Sequence, residues 1–406
     1  MEQREAVVAD ERFGLAQVLA AAENAAPVAS LDVVARSLRE RFGARSVSFL
    51  FMDVVGRKLV RVTEKADTQQ GRGAEQIPLV GTVYDEVLRT QRLIATADGG
   101  RGHRVLAPVT NRGDTLGVLE LYMSRADKEV LGEVEEAAHA LAYIVVTDRR
   151  FTDLYQWGQR TTPVSLAAEI QRQLLPTAAS CEAAQFTLAA ALVPADSIAG
   201  DTYDYSLDHD TLHLSVTDAM GHDVDASLMA TLLVNASRGA RRAQADLAEQ
   251  ARHIHQALLH HGRGSFATGL LLRIPLDGGQ ARLVNAGHPW PLRLRAGRVQ
   301  EVPLQVSLPF GVPSEKPHPV QDLALRSGDR LILYTDGMRE RQASAVDLPG
   351  LVAASAGEHP REVVRILTAA VTDACNGPLS DDATVVCLDW HGPYRGERQS
   401  RAGADA

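Results

Sequence analysis

The stretch TDAMGHDV, residues 217–224, follows TLHLSV at 211–216, a run that alternates toward an apolar face. After it comes DASLMATLLVN at 225–235, which has the composition of a helix. Asp218 therefore lies where a predicted strand ends and small residues lead into a predicted helix. A carboxylate in this place could cap the helix, or it could bind a metal ion beside free backbone carbonyls.

The bulk composition restricts the class of protein. The 406 residues are enough for two or three domains, and 45% hydrophobic with 23% charged residues is ordinary for a soluble globular chain. A net charge of -9 argues against a nucleic-acid partner bound through a basic face. The three Cys form no CxxC pair, which indicates neither a zinc site nor a disulfide framework. The first residues, MEQREAVVADERFG, have no visible apolar signal segment, and no apolar run approaches the roughly 18–20 residues of a membrane span. We therefore expect a cytoplasmic protein without a membrane partner.

The first part of the chain reads as an α+β domain that ends near residue 150. The patterns predict a helix at 31–42, a strand at 45–54, and a hairpin at 104–123 around TNRGDT. A further helix at 127–146 has apolar residues at three- and four-residue spacing. We expect this stripe to be exposed and to pair two copies as a parallel homodimer; its members are Leu131, Val134, Ala138, Leu141 and Val145.

A short amphipathic helix at 164–176, stopped by Pro176, leads into a part with a different pattern. Its apolar face is predicted to be Val164, Leu166, Ala167, Ile170 and Leu174. Strands are predicted at 186–193, 211–217, 268–274, 281–286, 291–295, 330–335 and 383–389. Helices are predicted at 225–242, 245–261 and 360–375. This alternation indicates a layered α+β domain of about 210 residues, followed by a polar tail, 391–406, that we expect to be disordered.

Several aspartates share one position, at the end or the start of a predicted strand. They are Asp201, Asp204, Asp218, Asp336, Asp381 and Asp382. A single aspartate of this kind is usually a turn former. The six aspartates lie in four separate stretches of the sequence, and four such sites are harder to explain as turns. Clustered carboxylates without a Cys or His pattern favour hard cations such as Mg²⁺ or Mn²⁺. An EF-hand starting at Asp204 is excluded, since His209 replaces its glycine and Ser215 its glutamate.

Six ordered motifs across about 177–390 resemble the SpoIIE-type serine phosphatases, bacterial members of the PPM class related to protein phosphatase 2C. The motifs are PADSIAGDTYDY (194–205), TDAMGHDVDASLMATL (217–232), FATGLL (266–271), VNAGHPWPL (284–292), YTDGMRER (334–341) and SDDATVVCL (380–388). EIQRQLLP (169–176) is similar to the helix that precedes such domains, and RGDTLGVLELY (112–122) is similar to part of a GAF sensor domain.

The resemblance implies a GAF-like sensor domain at 1–150, a helical linker at 151–176 and a phosphatase domain at 177–390. It also implies an α-β-β-α sandwich, two antiparallel sheets between helices, with two Mn²⁺ or Mg²⁺ ions at one end. By motif, Asp218 would bridge both ions and Asp382 would lie outside the ligand set. One ion would take Asp201 and the carbonyl of Ala219, and the other would take Asp336 and Asp381.

The implied activity is hydrolysis of phosphoserine or phosphothreonine by a water that the two ions activate. The implied substrate is a phosphorylated STAS-type anti-anti-sigma protein in a partner-switching pathway. The alternative is a catalytically weak scaffold that binds such partners, and the intact set of four aspartates counts against it.

Eukaryotic relatives carry a His where this chain has Met220, and many relatives have Gly where it has Asp223. His288 is expected to stabilise a hairpin.

Overall fold

The computed structural model describes residues 15–53, 56–62, 75–155, 165–195, 200–339, 341–375, 379–393 and 404. These residues divide into two compact units, one within 1–162 together with 404, and one within 163–399. No helix in the described ranges combines the length and the apolar character needed to cross a membrane. The prediction of a disordered tail falls mainly on residues after 393, which lie outside the described part except for residue 404.

The first unit is built on an antiparallel sheet with the strand order β3-β2-β1-β6-β5-β4. Its strands are β1 (Ser46–Met52), β2 (Lys58–Val62), β3 (Glu75–Pro78), β4 (Ile94–Ala97), β5 (His103–Asn111) and β6 (Asp114–Met123). Its helices are α1 (Leu15–Glu23), α2 (Ser30–Phe42), α3 (Val83–Thr90) and α4 (Lys128–Asp148). The predicted hairpin is β5–β6, and the predicted strand and two helices are β1, α2 and α4.

The apolar stripe of α4 does not form an exposed face. Val134, Ala138, Leu141 and Val145 are buried in one core with α1, α2 and the sheet, and Leu131 packs at its edge. The expectation of an exposed dimerisation stripe is therefore wrong, because the same three- and four-residue spacing serves a helix that packs on its own sheet. The homodimer stays a prediction, without this support.

A polar network lies beside the apolar core that α3 shares with the sheet. Glu120 of β6 is buried, and it accepts hydrogen bonds from Arg61, Arg104 and Tyr84. Burial alone would raise the pKa of Glu120, but the hydrogen bonds from the two arginines outweigh it and hold that pKa below its usual value. A buried carboxylate paired with two arginines therefore stabilises this face of the sheet. The assignment of the first unit as a GAF-like domain stays a prediction.

The second unit contains two antiparallel sheets. Their strand orders are β15-β12-β11-β10-β9 and β14-β13-β16-β17-β8-β7. The strands are β7 (Ser180–Glu182), β8 (Phe186–Val193), β9 (Asp201–Leu207), β10 (Thr211–Ala219), β11 (Ala267–Pro275), β12 (Ala281–Ala286), β13 (Leu292–Arg295), β14 (Arg298–Glu301), β15 (Gln321–Leu323), β16 (Asp329–Tyr334) and β17 (Ala383–Trp390). The inner faces of the two sheets share one apolar core, with Val216, Leu270, Leu333 and Val386 among its fully buried members.

Helices cover both outer faces of this pair of sheets. They are α5 (Leu166–Leu174), α6 (Asp223–Arg242), α7 (Leu247–His261), α8 (Leu348–Ala354) and α9 (Pro360–Cys375). Residues of α5, α6 and α7 pack with β11 and β12, while α8 and α9 pack with β16 and β17. The second unit is therefore the α-β-β-α sandwich that the resemblance implied.

Candidate metal centre

Asp201 and Asp218 lie directly opposite each other at the ends of the neighbouring strands β9 and β10. Asp201 is buried, whereas Asp218 is partly exposed. Burial raises the pKa of Asp201 well above its usual value, and the nearby carboxylates of Asp218 and Asp382 raise it further. Two facing carboxylates are unfavourable when both are ionised, and a divalent cation between or beside them offsets that repulsion.

Thr335 joins Asp201 to the second sheet. Its Oγ1 donates a hydrogen bond to Asp201 Oδ2 at 2.6 Å and accepts one from the Thr384 N–H at 3.0 Å. Its own N–H donates to the Thr384 carbonyl at 3.1 Å. Thr335 was not among the site residues predicted from the sequence, although it stands immediately before Asp336. This side chain fixes the orientation of Asp201 where β16 ends and β17 begins.

Gly200 lies against the carbonyl of Ala219. The Ala219 N–H donates to the Gly200 carbonyl at 3.1 Å, and a Cβ atom on Gly200 would collide with the Ala219 carbonyl oxygen. The same Cβ would lie 3.4 Å from Asp218 Oδ1. The absence of a side chain at Gly200 therefore allows β9 to approach β10 closely beside Asp218 and the Ala219 carbonyl.

Asp336 and Asp381 are carried by two loops that touch. Asp336 opens a 3-10 turn, Asp336–Met338, directly after β16. A Cβ on Gly337 would collide with the Asp382 carbonyl, so the turn lies against the residues that lead into β17. Asp381 Oδ1 accepts a hydrogen bond from the Asp382 N–H at 2.8 Å.

The structure thus brings the predicted ligands to one end of the sandwich without closing a ligand shell. Within the described ranges, no three His, Cys, Asp or Glu side chains converge as a preformed metal-ligand group. The facing pair of carboxylates and the Ala219 carbonyl are all oxygen donors, which suits Mg²⁺ or Mn²⁺ with water completing the coordination. The chemistry of these residues therefore fits a hard divalent cation.

Asp382 is buried behind Asp201. Its Oδ1 accepts a hydrogen bond from the Ala195 N–H at 2.8 Å, and its Oδ2 accepts one from Gln171 Nε2 at 2.6 Å. The Asp201 N–H also donates to this carboxylate, and burial raises the pKa of Asp382 to about 6. The contacts are those of a residue that supports a neighbouring ligand, in line with the expected place of Asp382 outside the ligand set.

Asp204 has a different role from the other strand-end aspartates. Its carboxylate forms ion pairs with Arg238 at 2.9 Å and with Arg241 at 3.0 Å, both on α6. All three side chains are largely buried, so this part of the helix end is not solvated. Asp204 therefore fastens α6 to β9.

His288 lies in the loop after β12 and is buried. Its backbone N–H donates to Asn285 Oδ1, and Asn285 Nδ2 donates back to the His288 carbonyl, so these two residues stabilise a turn. The predicted hairpin is wrong, because β12 and β13, on either side of this turn, belong to different sheets. The imidazole Nδ1 lies 2.9 Å from the hydroxyl of Thr268, the residue opposite Asp218 on β11. Burial lowers the pKa of His288 to about 3, so the ring is neutral near pH 7.

Met220 and His222 occupy the loop between Asp218 and α6. Both are exposed, and His222 Nδ1 pairs with Asp223 Oδ2 at 3.0 Å.

Asp223 begins α6 with a φ of +59°, in the left-handed region that favours glycine. Asp223→Gly is expected to fold normally and to keep metal-dependent activity, because the backbone geometry suits glycine. The melting temperature should change by no more than about 4 °C. Thermal unfolding and a Mn²⁺ titration of activity check this. A collapse in turnover would mean that the Asp223 carboxylate itself takes part in the site.

Comparison with known proteins identifies the second unit. A family model described as Stage II sporulation protein E (SpoIIE) matches residues 208–391. Phosphoserine phosphatase RsbU of Bacillus subtilis (strain 168) is 22% identical, over 63% of this chain and 80% of RsbU. Phosphoserine phosphatase RsbP of the same organism is 26% identical, over 36% of this chain and 38% of RsbP.

Among solved structures, the RsbU and RsbW domains of Rv1364c from Mycobacterium tuberculosis match with a TM-score of 0.46 and 27% identity. That match covers 52% of this chain and 63% of the other, so this chain spans less than two thirds of that structure. The family match covers the strands and loops that carry Asp218, Asp336 and Asp381, while Asp201 lies just before it. The second unit of this chain is a SpoIIE-family phosphatase domain of the PP2C type.

Proposed function

We propose that this protein is a Mn²⁺- or Mg²⁺-dependent serine/threonine protein phosphatase with two ions in its catalytic unit. The residues proposed to hold the ions are Asp201, Asp218, the carbonyl of Ala219, Asp336 and Asp381. The facing pair of Asp201 and Asp218 carries the proposal, because burial and mutual repulsion raise the pKa of Asp201 in the absence of a cation. A protein gains little from such a pair unless a cation neutralises it.

The bound ions would supply Lewis acidity toward a phosphoryl oxygen and a water that ionises near neutral pH. The protein's own residues orient the carboxylates for this chemistry. Thr335 fixes one oxygen of Asp201, and the Asp382 carboxylate holds the Asp201 N–H from behind. Gly200 leaves room beside Asp218 and the Ala219 carbonyl. The proposed active site is therefore rigid around Asp201 and open around Asp218, which is partly exposed.

The proposed substrate is the phosphoserine or phosphothreonine of a STAS-type anti-anti-sigma protein in a cytoplasmic partner-switching pathway. The similarity to two phosphoserine phosphatases, RsbU and RsbP, supports the phosphoserine class. The test is phosphate release from a phosphorylated STAS-domain protein beside an unrelated phosphoserine protein. Equal rates on both would contradict the STAS-type substrate and leave the phosphatase activity standing.

Removal of divalent cations is expected to abolish the activity. The purified chain, treated with EDTA and then desalted, should not hydrolyse p-nitrophenyl phosphate. Added Mn²⁺ or Mg²⁺ should restore hydrolysis in a saturable way, because every proposed ligand is an oxygen donor. Turnover that survives exhaustive chelation would contradict the metal-dependent mechanism.

A further inference from the structure

The helix α5 carries a polar side chain on its buried face. That face consists of Ala167, Ala168, Gln171 and Leu174, whereas Leu166 is 67% exposed. The apolar face predicted from the sequence was thus wrong at Leu166 and omitted Ala168 and Gln171. A buried glutamine on a short helix requires hydrogen-bond partners, since an unpaired amide in the interior is strongly unfavourable.

The partners of Gln171 are the supports of the candidate metal centre. Its Nε2 donates to the Asp201 carbonyl at 2.8 Å and to Asp382 Oδ2 at 2.6 Å. The same Asp382 carboxylate accepts the Asp201 N–H. Gln171 and Asp382 together therefore hold both the N–H and the carbonyl of Asp201, one of the proposed ligands.

Contacts at both ends of α5 also help to hold Gln171 in position. Arg238 Nη2 donates to the carbonyl of Leu174, the last residue of α5, at 2.6 Å. Arg238 also forms the ion pair with Asp204, which lies on the same strand as Asp201. At its start, α5 is capped by Ser165, whose hydroxyl accepts the Ala168 N–H. The helix is thus tied to β9 at two points.

We propose that Gln171 is a positioning residue of the metal centre, so that α5 belongs to the catalytic machinery although it lies before the family match. The inference rests on the proposed function, since it concerns affinity for the ions that the unit is proposed to bind. Gln171 contributes two N–H donors, one to the Asp382 carboxylate and one to the Asp201 carbonyl, which hold both residues in place. A shift of α5 along or away from β9 would move both carboxylates together.

The test is Gln171→Met, which keeps the length of the side chain and removes both donors. Mn²⁺ binding is measured by calorimetry on the full chain after chelation, beside thermal unfolding. We expect the dissociation constant for Mn²⁺ to rise by roughly 10- to 100-fold, as is typical when a group that orients a ligand is removed. Gln171→Asn, whose shorter amide cannot span both partners, should weaken binding in the same direction and serves if the first variant does not fold.

The matched control is Gln250→Met on α7. Gln250 is also buried, donates to Ser237 at 2.9 Å and accepts from Arg273 at 3.0 Å, away from the aspartates. It should lower the melting temperature without changing the dissociation constant for Mn²⁺. Wild-type affinity in both Gln171 variants, or equal weakening by Gln250→Met, would overturn the positioning role. Failure of the wild-type chain itself to bind Mn²⁺ would instead overturn the proposed function, and this inference with it.

Discussion

Asp218→Asn is expected to lower Mn²⁺-dependent phosphate release by at least about a hundredfold. Asp218 faces Asp201 across β9 and β10 and is the proposed bridge between the two ions. The substitution removes a ligand charge that no neighbouring residue replaces. The measurement is the rate on p-nitrophenyl phosphate across a Mn²⁺ titration. Near wild-type turnover at saturating Mn²⁺ would show that Asp218 is not a ligand.

The matched control is Asp210→Asn, in the turn that joins the same two strands. Asp210 is exposed, and its Oδ1 accepts a hydrogen bond from the neighbouring Thr211 hydroxyl. Its replacement should leave the rate unchanged. Asp382→Asn should cost less than Asp218→Asn, because Asp382 supports Asp201 and is not expected to contact an ion.

In the absence of metal, Asp218→Asn is expected to be more stable than the wild type, although it is expected to be less active when Mn²⁺ is present. The pKa of Asp201 is raised in the folded protein above the value of 3.8 that an unperturbed Asp has, partly by Asp218. Ionisation of Asp201 therefore costs folding free energy, and the metal-free protein loses stability as the pH rises from about 4 through the raised pKa. Asp218→Asn removes one source of repulsion, so its melting temperature in EDTA near pH 7 should exceed that of the wild type. A lower value would contradict the repulsive pair.

Gly337→Ala is expected to have the largest effect on the fold around the site. A Cβ at this position would collide with the carbonyl oxygen of Asp382, a backbone atom that cannot rotate away. The turn after β16 and the approach to β17 would have to separate, and Asp336 and Asp381 would separate with them. Overpacking of this kind costs about 3 kcal/mol, which lowers the melting temperature by roughly 6–12 °C for a unit of this size.

The comparison for this prediction is Gly357→Ala, because a Cβ at Gly357 would meet open space. Thermal unfolding and Mn²⁺-dependent activity of the two variants should diverge sharply. A Gly337→Ala protein with wild-type melting temperature and activity would contradict the close contact between the two loops.

Secondary structure was predictable in segments whose hydrophobic pattern and turn residues agree with the strands and turns of the structure. The alternation at 211–216 marks a strand of the sandwich, and the hairpin at 104–123 forms at the turn that its composition predicts. The prediction of an exposed stripe failed for α4, because this stripe packs in the core of its own unit. The stripe of α4 looked unpartnered because periodicity gives a face without saying what lies against it.

The sequence indicated the strand-end aspartates as candidate site residues, but it did not indicate the residues that support them. Thr335 and Gln171 reach Asp201 and Asp382 from segments distant in the chain, and no local spacing encodes those contacts. Gln171 was not among the residues predicted to be buried, because an amide is polar and helical periodicity assigns polar residues to the solvent side. Asp204 shares the strand-end position of the ligands but pairs with Arg238 and Arg241. The type of residue at a strand end therefore predicts candidates, and tertiary contacts separate the ion-paired Asp204 from the facing pair of Asp201 and Asp218.

The most direct test of the metal-dependent mechanism is to measure bound Mn²⁺ per chain and phosphate release from a phosphoserine protein in the same samples. The full chain would be stripped of metal, and Mn²⁺ would be returned in steps, with native mass spectrometry counting the ions. We predict that phosphate release appears only as Mn²⁺ binds and reaches its maximum at two ions per chain. Full turnover by chains that carry no ion would contradict the account.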